Sequence, residues 1–215
     1  MFIGHYAVGF LLKKRFKEIP LWLLFIAVQF VDILTFILVL LGIERISYNP
    51  TSNPFLRTLL EYVPFTHSLS SSLVIAFVVF LIFWKFKNKI WGTALSIGVL
   101  SHWFIDVIAH TPDLPLVWNS FKVGLGLWNF PWLAFLIEVG FFIGAGYYLY
   151  KDSKNIKRPV ILIALAIILY TPTMFAPEGE VPVAVVSIMS LSLYAIFPAL
   201  AYWIEKKKLN NKKLW

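Results

Sequence analysis

The sequence contains no cysteine, and few of its residues are charged. Without cysteine the chain can form neither disulfides nor thiolate metal sites, so any transition-metal site must use histidine and carboxylate ligands. Charged residues make up 14% of the 215 residues and hydrophobic residues 60%, whereas a soluble domain is about a quarter charged. This composition argues against an ordinary soluble domain and favours an integral membrane protein.

Long apolar runs account for the hydrophobic excess, and each can cross a hydrocarbon core about 30 Å thick. We predict an all-α fold, a polytopic membrane helical bundle of about six transmembrane helices preceded by a short N-terminal half-helix. The predicted spans are residues 20–42, 68–86, 90–110, 131–150, 159–176 and 181–204. A single membrane domain covers the chain: residues 1–17 form the half-helix and its basic cluster, residues 20–204 the six-helix bundle and residues 205–215 a basic tail.

Basic residues concentrate at alternate connections between the spans. They cluster at residues 13–17, 85–89, 151–158 and 206–213, and they are few in the other connections. The positive-inside rule therefore predicts that both termini are cytoplasmic, in the inner or plasma membrane of a prokaryote. The net charge of +8 then reflects topology and contacts with membrane lipid, and we expect no nucleic-acid partner. On the opposite side, Pro54–Tyr62 is predicted to be a short interfacial helix.

The ionisable residues of the apolar segments are functional candidates, because such groups are costly in a bilayer unless they are paired or bound to metal. At about 1.5 Å of rise per residue, several of them reach a similar depth, roughly 18 Å from the cytoplasmic ends of their helices. This group comprises His5, Asp32, His102 and Glu138. Their convergence from distant parts of the sequence predicts one intramembrane cluster.

The third predicted span carries a polar stripe, because His102, Asp106 and His110 are spaced i, i+4, i+8. His102 and His110 lie about 12 Å apart along the helix axis. Asp106 between them could bridge two ions or orient a ligating imidazole. His67, at the outer mouth of the second span, can approach the Asp106–His110 end. Such a site suits one or two divalent ions, Zn²⁺ first and Mn²⁺ or Fe²⁺ as alternatives.

These considerations assign a role to each candidate residue. Glu138 is the candidate general base, with a structural hydrogen bond as the alternative explanation, and Asp106 is both a catalytic residue and a ligand. Ser68 and Lys122 are candidates for substrate binding, with tight helix packing and a snorkelling or solvated lysine as the alternative explanations. For each single histidine the alternative is a hydrogen bond between helices. The predicted metal ligands are His5, Asp32, His67, His102, Asp106 and His110.

The ordered set resembles the YdjM-like inner-membrane proteins, a family described as membrane-bound metal-dependent hydrolases. The matching pieces are His5, Asp32, Thr66-His67-Ser68, Ser101-His102-x-x-x-Asp106 and the run from His110-Thr-Pro-Asp113 to Lys122-x-Gly-Leu-Gly-Leu-Trp128. The resemblance covers roughly the first 130 residues. Val31-Asp32-Ile33 departs from the Pro-Asp-x-Asp pattern of many members, so a second acid is missing there.

Three functional hypotheses follow. The first is a metal-dependent hydrolase that acts on a lipid-linked or phosphoester substrate through metal-activated water. The second is a transporter or channel for protons or divalent cations, in which the stripe of the third span is a relay. The third is a non-catalytic membrane protein whose metal only clamps helices.

Overall fold

The computed structural model describes residues 2–49, 53–153, 155–175, 179 and 181–211, without the side chains of 173 and 207–211. The last residues of the predicted basic tail, 212–215, lie outside the described part of the chain. Seven α-helices dominate it: α1 Ile3–Arg15, α2 Leu21–Leu40, α3 Leu69–Phe86, α4 Lys89–Ala109, α5 Pro131–Tyr150, α6 Lys157–Tyr170 and α7 Val183–Asn211. Two hairpins join them at one end: β1 Arg45–Tyr48 with β2 Thr58–Tyr62, and β3 Leu114–Val117 with β4 Ser120–Val123.

Five helices are long and apolar enough to cross a membrane, namely α2, α3, α4, α5 and α7. They confirm the predicted all-α helical bundle. Helix α1 has 13 residues and ends on Lys13, Lys14 and Arg15, as expected of a short N-terminal helix. Helix α6 has 14 residues, fewer than predicted for the span 159–176. It ends before Pro172, since a proline lacks the amide that would continue the helix.

The prediction of an interfacial helix at Pro54–Tyr62 is wrong. A short 3₁₀ turn covers Pro54–Leu56, and the following residues form β2, which pairs antiparallel with β1. Leu60 is buried and Glu61 is exposed, which is the alternation of a half-buried strand. Thr58 and Tyr62 are residue types that are enriched in strands, and β1 supplies the partner.

Helix α1 lies inside the bundle, although it is short. Ile3, Tyr6, Ala7 and Phe10 are fully buried, and α1 packs against α2, α4 and α5. A Cβ atom placed on Gly9 would come within 2.7 Å of Phe25 Cδ1, so α1 and α2 approach closely at this point. The internal position of α1 brings the residues near its N-terminus to the centre of the protein.

Candidate metal centre

Five of the six predicted ligands come together in the interior. They are contributed by α1, α2, α4 and the segment before α3: His5, Asp32, His67, His102 and Asp106. His102 Nε2 lies 3.0 Å from Asp106 Oδ2 and 3.3 Å from Asp32 Oδ1. His5 Nε2 lies 3.2 Å from Asp106 Oδ1, and His67 Nε2 lies 3.2 Å from Asp32 Oδ1.

These distances fit the coordination sphere of a metal ion. Around tetrahedral zinc, with bonds near 2.0–2.1 Å, adjacent ligand atoms lie about 3.3 Å apart. Potential ligand atoms lie within 4.8 Å of one another in two groups that share His102, one with His5 and Asp106 and the other with Asp32 and His67. The buried His/Asp cluster could therefore bind a metal ion.

The orientation of two imidazoles supports this interpretation. His5 Nε2 and His102 Nε2 are buried and make no aligned hydrogen bond, although carboxylate oxygens lie 3.0–3.3 Å away. A buried nitrogen left without a partner costs about 1–3 kcal/mol. A cation between the nitrogens and the carboxylates would satisfy all of these groups together.

Hydrogen bonds outside the cluster set the tautomers of two ligands. His102 Nδ1 lies 2.9 Å from the Val28 carbonyl oxygen, which can only accept, so Nδ1 carries the proton. His67 Nδ1 lies 3.0 Å from Thr35 Oγ1 and 3.2 Å from Thr66 Oγ1. Both hydroxyls donate their own protons elsewhere, so each can accept from His67. The Nε2 atoms of both histidines are directed at the cluster, as metal ligation requires.

A buried carboxylate completes the surroundings of His67. Glu44 Oε2 accepts from the Thr66 hydroxyl at 2.6 Å, and Glu44 Oε1 accepts from the amides of Phe65 and Thr66 at 2.9 and 3.1 Å. Burial raises the pKa of Glu44, and these donors act in the opposite direction. Sequence reasoning missed Glu44, because it lies beyond the apolar run of α2 and nothing in its local sequence distinguishes it.

Asp32 is also held by residues that sequence reasoning missed. Its Oδ1 faces the histidines, and its Oδ2 accepts from the Gln29 amide and, at 3.2 Å, from the Tyr194 hydroxyl. Gln29 is fully buried. Its i, i+3 spacing from Asp32 in an apolar helix could have predicted this hydrogen bond from the sequence. Tyr194 on α7 gave no such signal.

His110, the sixth predicted ligand, lies at the edge of the cluster. Its Nε2 is 4.0 Å from Asp106 Oδ1, and its Nδ1 is 3.0 Å from Asp113 Oδ1. Asp106 thus directs Oδ1 towards His5 and His110, and Oδ2 towards His102. A carboxylate placed in this way has the geometry to bridge two positions.

The side chain of Glu138, on α5, lies against the N-terminus of α1. Its Oε2 accepts from the amides of Phe2 and Gly4 at 2.9 and 3.4 Å, and the side chains of Trp128 and Tyr170 lie close to the carboxylate. A negative group stabilises a helix N-terminus, where the first amides lack partners within the helix. Glu138 therefore anchors the helix that carries His5.

The two predicted substrate-binding residues make structural contacts. Ser68 Oγ caps α3 by accepting from the Ser71 amide at 3.0 Å, and it donates to the Pro64 carbonyl. Lys122 Nζ donates to the Leu60 carbonyl at 3.2 Å and so ties the second hairpin to the first. These contacts account for both side chains, and a role in substrate binding stays a prediction.

A cavity of about 200 Å³ lies beside the cluster. Asp32, His67, Asp106 and His110 form its polar wall. Its other side is mainly apolar and aromatic and includes Phe2, Phe36, Ile46, Pro54, Phe55, Leu60, Trp128, Tyr170 and Tyr194. An amphiphilic molecule could place a polar group on the cluster and its apolar part against these walls.

The chain matches no family model, no curated protein and no solved structure. The functional argument therefore depends on the geometry of the cluster and on the order of its residues in the sequence. The geometry shows a buried His/Asp cluster that could bind a metal ion, in a chain with five helices long and apolar enough to cross a membrane.

Proposed function

We propose that the protein is a membrane-embedded metal-dependent hydrolase, and that the cluster holds one or two divalent ions, with zinc as the first candidate. The observation that carries the proposal is the convergence of buried histidine nitrogens on Asp32 and Asp106, where those of His5 and His102 lie close to carboxylate oxygens without an aligned hydrogen bond. The tautomers set by Val28 and by the threonine hydroxyls support it. The resemblance of the ordered residues to the YdjM-like family agrees with it.

The residues of the site divide into ligands and a proton carrier. When bound, a divalent ion supplies an activated water at neutral pH and polarises the bond to be cleaved. Asp32 and Asp106 neutralise the positive charge of the site, and Asp106 can serve two positions. His110 lines the cavity, and Asp113 holds its Nδ1 proton. This arrangement keeps Nε2 available to accept a proton, so His110 is better placed than Glu138 to act as general base.

The walls of the cavity favour a substrate that partitions into the membrane. Aromatic side chains such as Phe36, Phe55 and Tyr170 surround the approach to the polar wall. A lipid-linked ester or phosphoester would bury its apolar portion there and present its scissile bond to Asp106 and His110. Water-soluble polar substrates would leave these walls poorly covered.

Metal analysis of the purified protein tests the proposal. The wild type should retain zinc or another divalent ion near stoichiometric amounts, and His102→Ala and Asp106→Asn should lose it. Asp152→Ala, which removes an exposed carboxylate, should retain the metal. A wild type that binds no divalent ion at any concentration tested would refute the mechanism.

Turnover separates hydrolysis from the other two hypotheses. Hydrolysis of a member of a lipid ester and lipid phosphate panel, lost in His102→Ala, supports the enzyme. Bound metal without turnover of any member favours the clamp. A proton relay is opposed by the buried apolar residues on α4 on the other side of His102, which include Leu95 and Val99.

A further inference from the structure

A second cavity, of about 560 Å³, lies at the opposite end of the bundle from the metal centre. The C-terminal ends of α1, α5 and α7 and the start of α2 surround it. Its lining combines lysines with aromatic and apolar side chains. Nothing in the proposed hydrolase uses this cavity, so it calls for its own explanation.

One lysine of this cavity, Lys13, is fully engaged in contacts within the protein. Lys13 Nζ lies 2.8 Å from Glu205 Oε1, and it donates to the carbonyls of Lys17 and Ile19 at 3.0 and 2.7 Å. An ammonium group has three donors, so Lys13 is saturated. Glu205 in turn accepts from the Leu21 amide at 2.7 Å. This pair joins α7 to the starting point of α2 and carries no net charge.

Three further lysines remain available to a ligand. Lys14 pairs at 3.2 Å with Asp152, whose side chain is 74% exposed, so water screens this contact. The Lys17 ammonium has no hydrogen-bond or ion-pair partner among the described residues. Lys206 Nζ stands 5.8 Å from the centre of the Tyr202 ring. Against these three cations the described residues of the lining offer Glu18 and Asp152, which leaves one net positive charge among these five side chains.

The remaining surface is apolar or aromatic. Trp22 and Tyr202 meet edge to face with ring centroids 6.5 Å apart, and Pro20 and Leu149 extend the same surface. Trp and Tyr side chains prefer the level of lipid headgroups, and lysines beside them attract anionic lipids. A single positive charge above such a surface suits a singly charged phosphodiester with acyl chains attached.

We propose that this cavity binds one anionic phospholipid, with its phosphodiester among Lys14, Lys17 and Lys206 and its glycerol and first acyl carbons against Trp22 and Tyr202. The site is independent of the metal centre and of any catalysis there. It would give the protein a preference for one charged lipid over zwitterionic lipid at this end of the bundle.

Native mass spectrometry of the full-length protein tests the site, with phosphatidylglycerol as the probe and phosphatidylcholine as the zwitterionic comparison. The wild type should retain one phosphatidylglycerol at least tenfold more tightly than phosphatidylcholine. The triple variant Lys14→Gln, Lys17→Gln, Lys206→Gln should lose this preference. Its matched control, Lys85→Gln, Lys87→Gln, Lys89→Gln, removes the same charge from the α3–α4 connection at the same end and should bind as the wild type does.

Three results would overturn the proposal. If both triple variants lost the preference for phosphatidylglycerol equally, the lipid would be attracted by the overall charge of this end and not by a defined site. Equal retention of the two lipids would mean that the site does not distinguish a lipid with a net negative charge from a zwitterionic one, although both carry a phosphodiester. Displacement of the lipid by millimolar inorganic phosphate would indicate a site for free phosphate. Unchanged metal content and thermal unfolding of the Lys14, Lys17, Lys206 variant would show that it is folded.

Discussion

At the scale of single residues, the orientation of His67 depends on groups that do not belong to the cluster. Its Nδ1 faces two threonine hydroxyls, and the hydroxyl of Thr66 continues to the buried carboxylate of Glu44. Partners of this kind fix the ring and increase the basicity of the ligating nitrogen. Glu44 should therefore affect metal binding, although it does not contact the metal.

Replacing Glu44 by glutamine should weaken metal binding about 10- to 100-fold, the usual effect of losing such a partner. A glutamine side chain has one acceptor oxygen, so it cannot accept equally well from the Thr66 hydroxyl and from the backbone amides of Phe65 and Thr66. The orientation of His67 should therefore be less well fixed. Competition with a chelator of known affinity measures the change. Glu61→Gln, an exposed substitution on β2, should leave affinity unchanged; equal affinities in both variants and the wild type would contradict this role.

The sequence predicted which charged groups enter the interior but not all of those that surround them. His5, Asp32, His102 and Asp106 were recognised because ionisable groups in apolar helices require a reason. Gln29 and Tyr194 are ordinary residues in a sequence of this composition. Their contacts with Asp32 depend on how α2 rotates about its axis and on where α7 packs, and neither is encoded in local spacing.

At the scale of helices, α1 is positioned by contacts that Glu138 makes with its first turn. Glu138 of α5 accepts from the amides of Phe2 and Gly4, and His5 belongs to the same first turn of α1. The calculated depth placed Glu138 level with the cluster, but depth does not report direction around the helix axis. The structure turns this carboxylate towards the end of α1.

Glu138 variants should distinguish an anchor from a general base. Glu138→Gln keeps an acceptor oxygen for α1, so metal content and turnover should stay near wild type. Glu138→Ala leaves buried amides unsatisfied and should destabilise the protein by about 1–3 kcal/mol, with weaker metal binding through His5. Thermal unfolding with and without metal, together with turnover, measures both. Loss of turnover in a stable, metal-bound Glu138→Gln protein would restore the general-base assignment.

Helices α2 and α4 approach closely at Gly98, beside the residue that holds His102. A Cβ atom on Gly98 would lie 3.1 Å from Ala27 Cβ and 3.5 Å from Val28 Cγ1, and the Val28 carbonyl holds the ring of His102. Gly98→Val should therefore cost about 1–3 kcal/mol by overpacking and should also weaken metal binding.

Gly144→Val is the matched control for Gly98→Val. A Cβ atom there meets nothing within 4 Å, so the substitution changes helix propensity without overpacking. Denaturation in detergent and metal titration compare the two proteins. The same stability and affinity in both variants would mean that α2 and α4 tolerate separation at this point.

The segments Pro54–Tyr62 and 159–176 show the limit of predicting elements from sequence. Pro54–Tyr62 has enough apolar residues to fit an interfacial helix, and only pairing with Arg45–Tyr48 makes Thr58–Tyr62 a strand. Such pairing is a tertiary contact that no local pattern contains. Helix α6 ended early for a reason that was visible, since Pro172 stood inside the predicted span.

At the scale of the whole molecule, the two ends of the bundle differ in chemistry. The hairpins lie at one end, together with the cavity that opens beside the candidate metal centre, and the lysine-rich connections and the second cavity lie at the other. The predicted topology places the lysine-rich end in the cytoplasm.

Single cysteines test this orientation, because the native chain has none and labelling starts from no background. In intact cells, a membrane-impermeant maleimide should label Glu61→Cys on the first hairpin. It should label Lys87→Cys in the α3–α4 connection only after lysis. Both positions are exposed, so accessibility of the protein surface does not bias the comparison; the reverse pattern would invert the topology.

The cluster draws its ligands from residues 5–106, whereas one side of its cavity is formed by Ser190 and Tyr194 of α7. Chains are made from the N-terminus onwards, and early segments begin to assemble first. All the ligands therefore emerge from the ribosome before the helix that walls the cavity on this side. In the proposed metalloprotein, an ion could reach the site from this side before α7 is inserted, and α7 would then slow its exit. Metal loading and membrane insertion would be successive steps of a single maturation process.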